Sequence, residues 1–279
     1  MKAPLYLLFL SALLLSACAH LDNGFMRSAQ PLEPGQARHT WGCSSSYTYA
    51  AGLQIEPDSL LAHSDRKDKA DIYNQIPAGF DLGLGNGLQI GGQMSYALGP
   101  YYGYPFECFL CFSDTRAFRG YLQYSLPLEN DFWLGISAGI LDHKEVWFHD
   151  FRYDQFKLKH HGRGFEFPLT ITKVNQSSDW NRSNSLTFRY TELKVSSEMK
   201  RSGGFGQPDL VYEQADQNIS RYAVIYTHQM EGQKIGLFTD LGVEYSQRDG
   251  DIILVAPVLG FKLYFHSHPF GKNEAESGI

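Results

Sequence analysis

Ile76-Pro77-Ala78-Gly79-Phe80-Asp81-Leu82-Gly83-Leu84-Gly85-Asn86-Gly87-Leu88-Gln89-Ile90-Gly91-Gly92-Gln93-Met94-Ser95-Tyr96-Ala97-Leu98 decides the fold. Ile76, Ala78, Phe80, Leu82 and Leu84 fall on one side of a period-two pattern, and Pro77, Gly79, Asp81 and Gly83 fall on the other. Such alternation predicts a strand with one apolar face. Gly85-Asn86-Gly87 then predicts a tight reversal, because glycine and asparagine accept positive φ at low cost. The return strand repeats the division, with Leu88, Ile90, Met94, Tyr96 and Leu98 against Gln89, Gly91, Gln93 and Ser95.

The same form recurs along the chain. Phe118, Leu122, Tyr124 and Leu126 oppose Arg119, Gln123 and Ser125, and a turn at Glu129-Asn130-Asp131 leads into Phe132, Leu134, Ile136, Ala138 and Ile140. Tyr222, Val224 and Tyr226 oppose Arg221, Ala223 and Thr227. A turn at Glu231-Gly232-Gln233 follows, and then Ile235, Leu237, Leu241, Val243 and Tyr245 alternate with Gly236, Asp240, Gly242 and Glu244. In the last strand Ile253, Val255, Pro257, Leu259, Phe261, Leu263 and Phe265 share a face, with Lys262 and Tyr264 on the other. Weaker alternation covers 38–49, 164–174 and 185–195, the last with Leu186, Phe188 and Tyr190 against Thr187, Arg189 and Thr191. The count is about ten strands, each near the roughly 9–11 residues that a tilted membrane strand needs.

Composition agrees with strands and tight turns: 19 Phe, 17 Tyr and 27 Gly in 279 residues. A net charge of −6 argues against a nucleic-acid binder. The mean hydropathy of −0.30 excludes a helical membrane protein but not a barrel, where only alternate residues must be apolar. Connections alternate between short (85–87, 129–131, 177–183, 231–233) and long (50–73, 99–116, 142–163, 197–218), with 247–250 breaking the pattern. This is the rhythm of an up-and-down barrel with short periplasmic turns and long outer loops. Gly260-Phe261-Lys262-Leu263-Tyr264-Phe265 resembles the C-terminal signal read by the outer-membrane insertion machinery, although fourteen residues, His266 to Ile279, follow it. The broad resemblance is to small outer-membrane β-barrel proteins over residues 38–265. It implies an all-β, antiparallel, up-and-down transmembrane β-barrel of about ten strands and no particular activity. Asp81, Arg119, Glu166, Arg189, Arg221, Asp240, Glu244 and Lys262 would then point into the lumen. Two readings of these charges stand: they pair across the lumen and fill it, or several lie at the rims in water.

The N-terminus sets the compartment. Lys2 precedes an apolar run, Pro4 to Leu15, too short to span a bilayer as a helix. It ends in Leu15-Ser16-Ala17-Cys18, which resembles the bacterial lipobox. The resemblance implies cleavage after residue 17, lipidation of Cys18, and handling by the lipoprotein-processing machinery. The expected organisation is therefore a signal peptide (1–17), a lipidated N-terminus and polar linker with Pro31, Pro34 and Gly35 (18–37), the barrel (38–265), and a periplasmic tail (266–279). Its partners would be outer-membrane lipid and the barrel-insertion machinery.

No constellation reads as catalytic, metal-binding or cofactor-binding. Cys108 and Cys111 are two residues apart in a predicted outer loop of an oxidising compartment, which favours a small disulfide over redox or metal work. His143, His149, His160 and His161 gather with Asp142, Asp150 and Asp154 in one long segment, where solvated loop residues and a rim His/Asp site are the two alternatives. Lys157 to Arg163 is locally basic and could meet anionic phosphates. Trp41, Trp133, Tyr124, Tyr96 and Tyr245 are candidates for aromatic girdles. The expected role is structural or interactive through surface loops. A narrow channel or transporter, a rim enzyme and a lipid-tethered soluble β-fold are the alternatives.

Overall fold

The structure is a computed structural model describing residues 28–47, 72–98, 112–151, 154–175, 180–202, 210–232, 234–248 and 251–267. Ten antiparallel strands close into one barrel: β1 (Ala37–Tyr47), β2 (Ile72–Gly85), β3 (Leu88–Leu98), β4 (Phe112–Pro127), β5 (Phe132–Phe151), β6 (Asp154–Asn175), β7 (Asn181–Ser202), β8 (Leu210–Glu231), β9 (Ile235–Arg248) and β10 (Asp251–Ser267). Each strand pairs with its sequence neighbours, and β1 pairs with β10 to abolish the edges. In lipid this closure is obligatory, because no water is present to satisfy an open edge.

The register gives the tilt. The row of paired residues through Trp41 reaches β7 at Lys194 by way of β2 to β6, and at Arg182 by way of β10 to β8. Closure thus carries a stagger of 12 residues, the difference between those two positions. With strand spacing of about 4.8 Å and a rise of about 3.4 Å per residue, ten strands at that stagger tilt by about 40°.

The turn chemistry works as the residues dictate. Gly85, Asn86 and Gly87 all have positive φ, as do Asn130 and Asp131. These tight reversals lie at the end where β1 begins and β10 ends.

Four strands are twice the expected length. β5 has 20 residues, and β6, β7 and β8 have 22 each. The segments 142–163 and 197–218, expected to be long loops, are instead mostly paired β-ladder. The physical reason lies in the faces. Up to Ile140, Phe165, Tyr190, Tyr222 and Tyr245 the outward side chains are chiefly apolar. The next outward positions are Asp142, Arg163, Glu192, Ser220 and Gln247. Tyr190 lies nine residues from Asn181, and Tyr222 nine from Glu231, close to the roughly 9–11 residues that cross a bilayer. Above that level the inward face turns apolar: Ala117, Leu141, Leu193, Val195 and Ile219 form a buried cluster. The upper wall therefore packs like a water-soluble sheet, apolar inside and polar outside.

Residues 28–36, expected to belong to a polar linker, lie inside the mouth of the barrel at the end where β1 begins. Ser28, Ala29 and Leu32 are buried. The Ala29 amide donates to Thr172 Oγ1 (2.8 Å), Gln123 Nε2 donates to the Ser28 carbonyl (3.1 Å), and Gly35 and Gly83 exchange backbone bonds of 2.9 Å with the paired segments. Gly83 makes this possible: a Cβ there would stand 2.2 Å from the Glu33 carbonyl oxygen. The segment is polar because the lumen wall it lines is polar, and that composition resembles a linker when read from sequence alone.

Candidate functional site

The lumen is built from the inward positions of period-two strands, so its chemistry follows from parity. All eight sequence-selected charges lie there, and each is at most 4 % exposed. Arg119 Nε stands 2.8 Å from Glu166 Oε1, joining β4 to β6. Arg189 Nη2 lies 2.7 Å from Glu244 Oε2, and Arg221 Nη1 approaches the other oxygen of Glu244 at 3.8 Å. Lys262 Nζ is 3.8 Å from Asp240 Oδ2, and the opposite oxygen of Asp240 accepts from Thr227 at 2.9 Å.

Asp81 pairs with a residue that strand reasoning missed. Arg38 Nε donates to Asp81 Oδ2 at 3.0 Å, and Tyr121 donates its hydroxyl to the other oxygen. Gly91 leaves room for this group, since a Cβ there would lie 2.3 Å from Asp81 Oδ1. Arg38 also stacks over Phe238 (5.3 Å) and Tyr264 (5.5 Å). Gln229 donates to the Tyr264 hydroxyl at 2.8 Å, and His266 pairs with Glu231. His266 is thus the last inward residue of β10 rather than part of a tail. The signal for Arg38 was its parity with Thr40, opposite Trp41 on a weakly alternating strand.

These side chains line the lumen at three levels. The mouth at the end where β1 begins holds residues 28–36 on one side and the Arg38–Phe238–Tyr264–His266 cluster on the other. The middle holds the ion pairs, and the apolar cluster lies directly above them. Removing one partner of a buried pair leaves the other charge uncompensated and is strongly destabilising.

Among the described side chains, the histidine group divides between the two faces of the wall. His143 is buried on the inward face of β5, beside Gly162. His161 faces outward on β6, with Nε2 3.2 Å from Asp142 Oδ1. Arg163 Nε also binds Asp142, at 2.9 Å. Lys159–Glu198 and Lys194–Asp216, both 2.7 Å, continue this outward lattice of opposite charges. The basic run is thereby interleaved with acids from neighbouring strands. The side chains of His149, His160, Asp150 and Asp154 lie outside the described residues, as do Cys18, Cys108 and Cys111. Among the described residues no group of three or more His, Cys, Asp or Glu side chains is placed to hold a metal ion.

Of the girdle candidates, Trp41, Tyr96 and Tyr124 are exposed outward. Tyr245 joins a ladder not foreseen from sequence, Phe167–Tyr190–Tyr222–Tyr245, with ring centroids 6.5, 5.1 and 4.8 Å apart. Trp133 shares the inward parity of Gly135 and Ser137 instead.

A closed ten-strand antiparallel barrel with an apolar outer band and a polar lumen is the architecture of bacterial outer-membrane barrel proteins. No protein-family model and no curated protein matches the sequence. Among solved structures, the outer membrane protease OmpT from Escherichia coli aligns with a TM-score of 0.45 and 10 % identity, over 86 % of this chain and 98 % of that one. Ail, the attachment invasion locus protein of Yersinia pestis, aligns at 0.28 and 10 %, over 84 % and 100 %. The anion-selective porin from Comamonas acidovorans aligns at 0.17 and 10 %, over 83 % and 98 %.

Proposed function

We propose that the protein is a non-conducting, lipid-anchored outer-membrane barrel that presents the tall β5–β8 wall outside the cell as a structural or interaction surface. The observation that carries this reading is the buried apolar cluster of Ala117, Leu141, Leu193, Val195 and Ile219 above the membrane band. A conduit for polar solutes would need a wetted passage at that level. The paired charges below and residues 28–36 at the base support the same reading.

Planar-bilayer recording tests it. Purified protein should stay silent, and stable unitary current steps would overturn the reading in favour of a channel. The anchor rests on Leu15-Ser16-Ala17-Cys18. Metabolic labelling with a palmitate analogue should mark the wild type, and label kept in Cys18→Ser would refute lipidation. An outer-loop disulfide between Cys108 and Cys111 completes the proposal. Unreduced mass spectrometry should show the loop peptide two hydrogens light, and two freely alkylated thiols would refute it.

A further inference from the structure

The outward wall is not uniformly convex. A notch of about 530 Å³ opens on the membrane-facing side of β6 to β10. Its shape follows from two adjacent rows of paired residues. The upper row is Phe167, Tyr190, Tyr222, Tyr245 and Val255, and the lower is Leu169, Phe188, Val224 and Val243. Val224 and Val243 are directly paired and are smaller than Leu169 and Phe188 in their row. Tyr222 and Tyr245 stand above them, stacked 4.8 Å apart, and Tyr226 and Leu241 stand below. The two valines are therefore the floor of a recess walled by larger side chains, one row inside the upper edge of the apolar band.

We propose that this notch seats one acyl chain of an outer-leaflet lipid in a fixed position, an inference that rests on the outer-membrane placement of the barrel. An apolar recess holds no ordered water, which needs polar partners. Left empty, it forfeits the dispersion contacts of its lining. In the bilayer the species at hand is an acyl chain. A chain that fills a recess touches three walls instead of one and leaves more slowly than its neighbours on a smooth surface. The tyrosine rings along the upper edge mark where the chain ends and the headgroup begins.

Native mass spectrometry of the full-length processed protein, taken from detergent with either dimyristoyl phosphatidylethanolamine or lipid A added, tests this. The wild type should keep one lipid after collisional activation has stripped the rest. The double substitution Val224→Phe/Val243→Phe fills the recess and should lower that occupancy about tenfold, or about 1.4 kcal/mol. Leu122→Phe, on another part of the outward wall, should leave it unchanged. Retention of both lipids alike identifies the chain as the recognised group, and retention of lipid A alone adds a headgroup contribution at the tyrosine edge. Equal occupancy in the filled variant overturns the proposal. So does a dimer in the wild type that filling abolishes, which would assign the notch to a second copy. If the double variant fails to fold, Val243→Leu carries the same test with an expected loss of about threefold. Heat-modifiable gel migration separates the failures: absence of a heat shift in the wild type breaks the membrane reading, whereas a folded barrel with unchanged lipid retention breaks only this inference.

Discussion

The two halves of β7 teach opposite lessons with the same period. From Asn181 to Thr191 the inward positions are Ser183, Ser185, Thr187, Arg189 and Thr191, and the outward ones include Leu186, Phe188 and Tyr190. From there to Ser202 the phase inverts. Leu193 and Val195 are buried inward, and Glu192, Lys194, Ser196, Glu198 and Lys200 face outward. β5 and β8 invert at the same level, with Leu141 and Ile219 inside and Asp142 and Ser220 outside. One ladder of hydrogen bonds runs through both halves, so the solvent on each side, rather than the backbone, chooses the face. At about 3.3 Å per residue and about 40° of tilt, the upper half rises about 30 Å above the band.

Substitutions can break this comparison or sharpen it. The largest effect is expected at Glu244. Glu244→Ala removes the buried carboxylate that Arg189 and Arg221 share and should lower stability by about 3–5 kcal/mol, read as the urea midpoint of the folded band in detergent. Leu193→Ala removes a fully buried side chain from the upper core and should cost about 2–5 kcal/mol by the same measurement. A value near zero would mean that the upper half has no core. Phe188→Arg puts a charge on the lipid face and should cost about 2–4 kcal/mol at midplane depth, less near the interfaces. Arginine at Glu192, four residues higher on the same face, should be tolerated. Equal sensitivity at both positions would move the membrane boundary. Gly83→Val pushes a side chain into residues 28–36 and should expose that segment to cleavage by a protease of broad specificity in the folded protein, while the wild type resists. The smallest effect belongs to the upper outward lattice: Glu198→Ala breaks only a half-exposed pair with Lys159 and should cost under about 1 kcal/mol.

The inversion also explains what the sequence disclosed. In the membrane half the alternation keeps one phase for a whole crossing. Hairpins such as Ile76–Leu98 could therefore be read directly, and the eight lumen charges could be assigned by parity. Above the band the apolar residues are few, occupy the other parity, and alternate with Lys, Glu and His. Held to a single phase, 142–163 and 197–218 read as loops, and His143 and His161 read as neighbours when they stand on opposite faces. Arg38 was missed because its strand alternates weakly. Residues 28–36 were missed because a polar segment bound to a polar wall lacks the apolar signature that marks burial elsewhere. What makes the Ala29 seat is partly the smallness of Gly135, whose Cβ would stand 3.1 Å from that of Ala29, and such fits have no local period.

The seating of residues 28–36 also orders assembly in time. Although it precedes every strand in the chain, the segment bonds to Gln123 and Thr172, 95 and 143 residues away. Neither partner is positioned until β4 and β6 have paired with their neighbours. Contacts that span so much chain bear the full entropy of loop closure before any gain, which makes them late and slow. The first residues of the described body are therefore among the last to find their place. The barrel must either close around them or admit them through its open mouth after β1 has met β10.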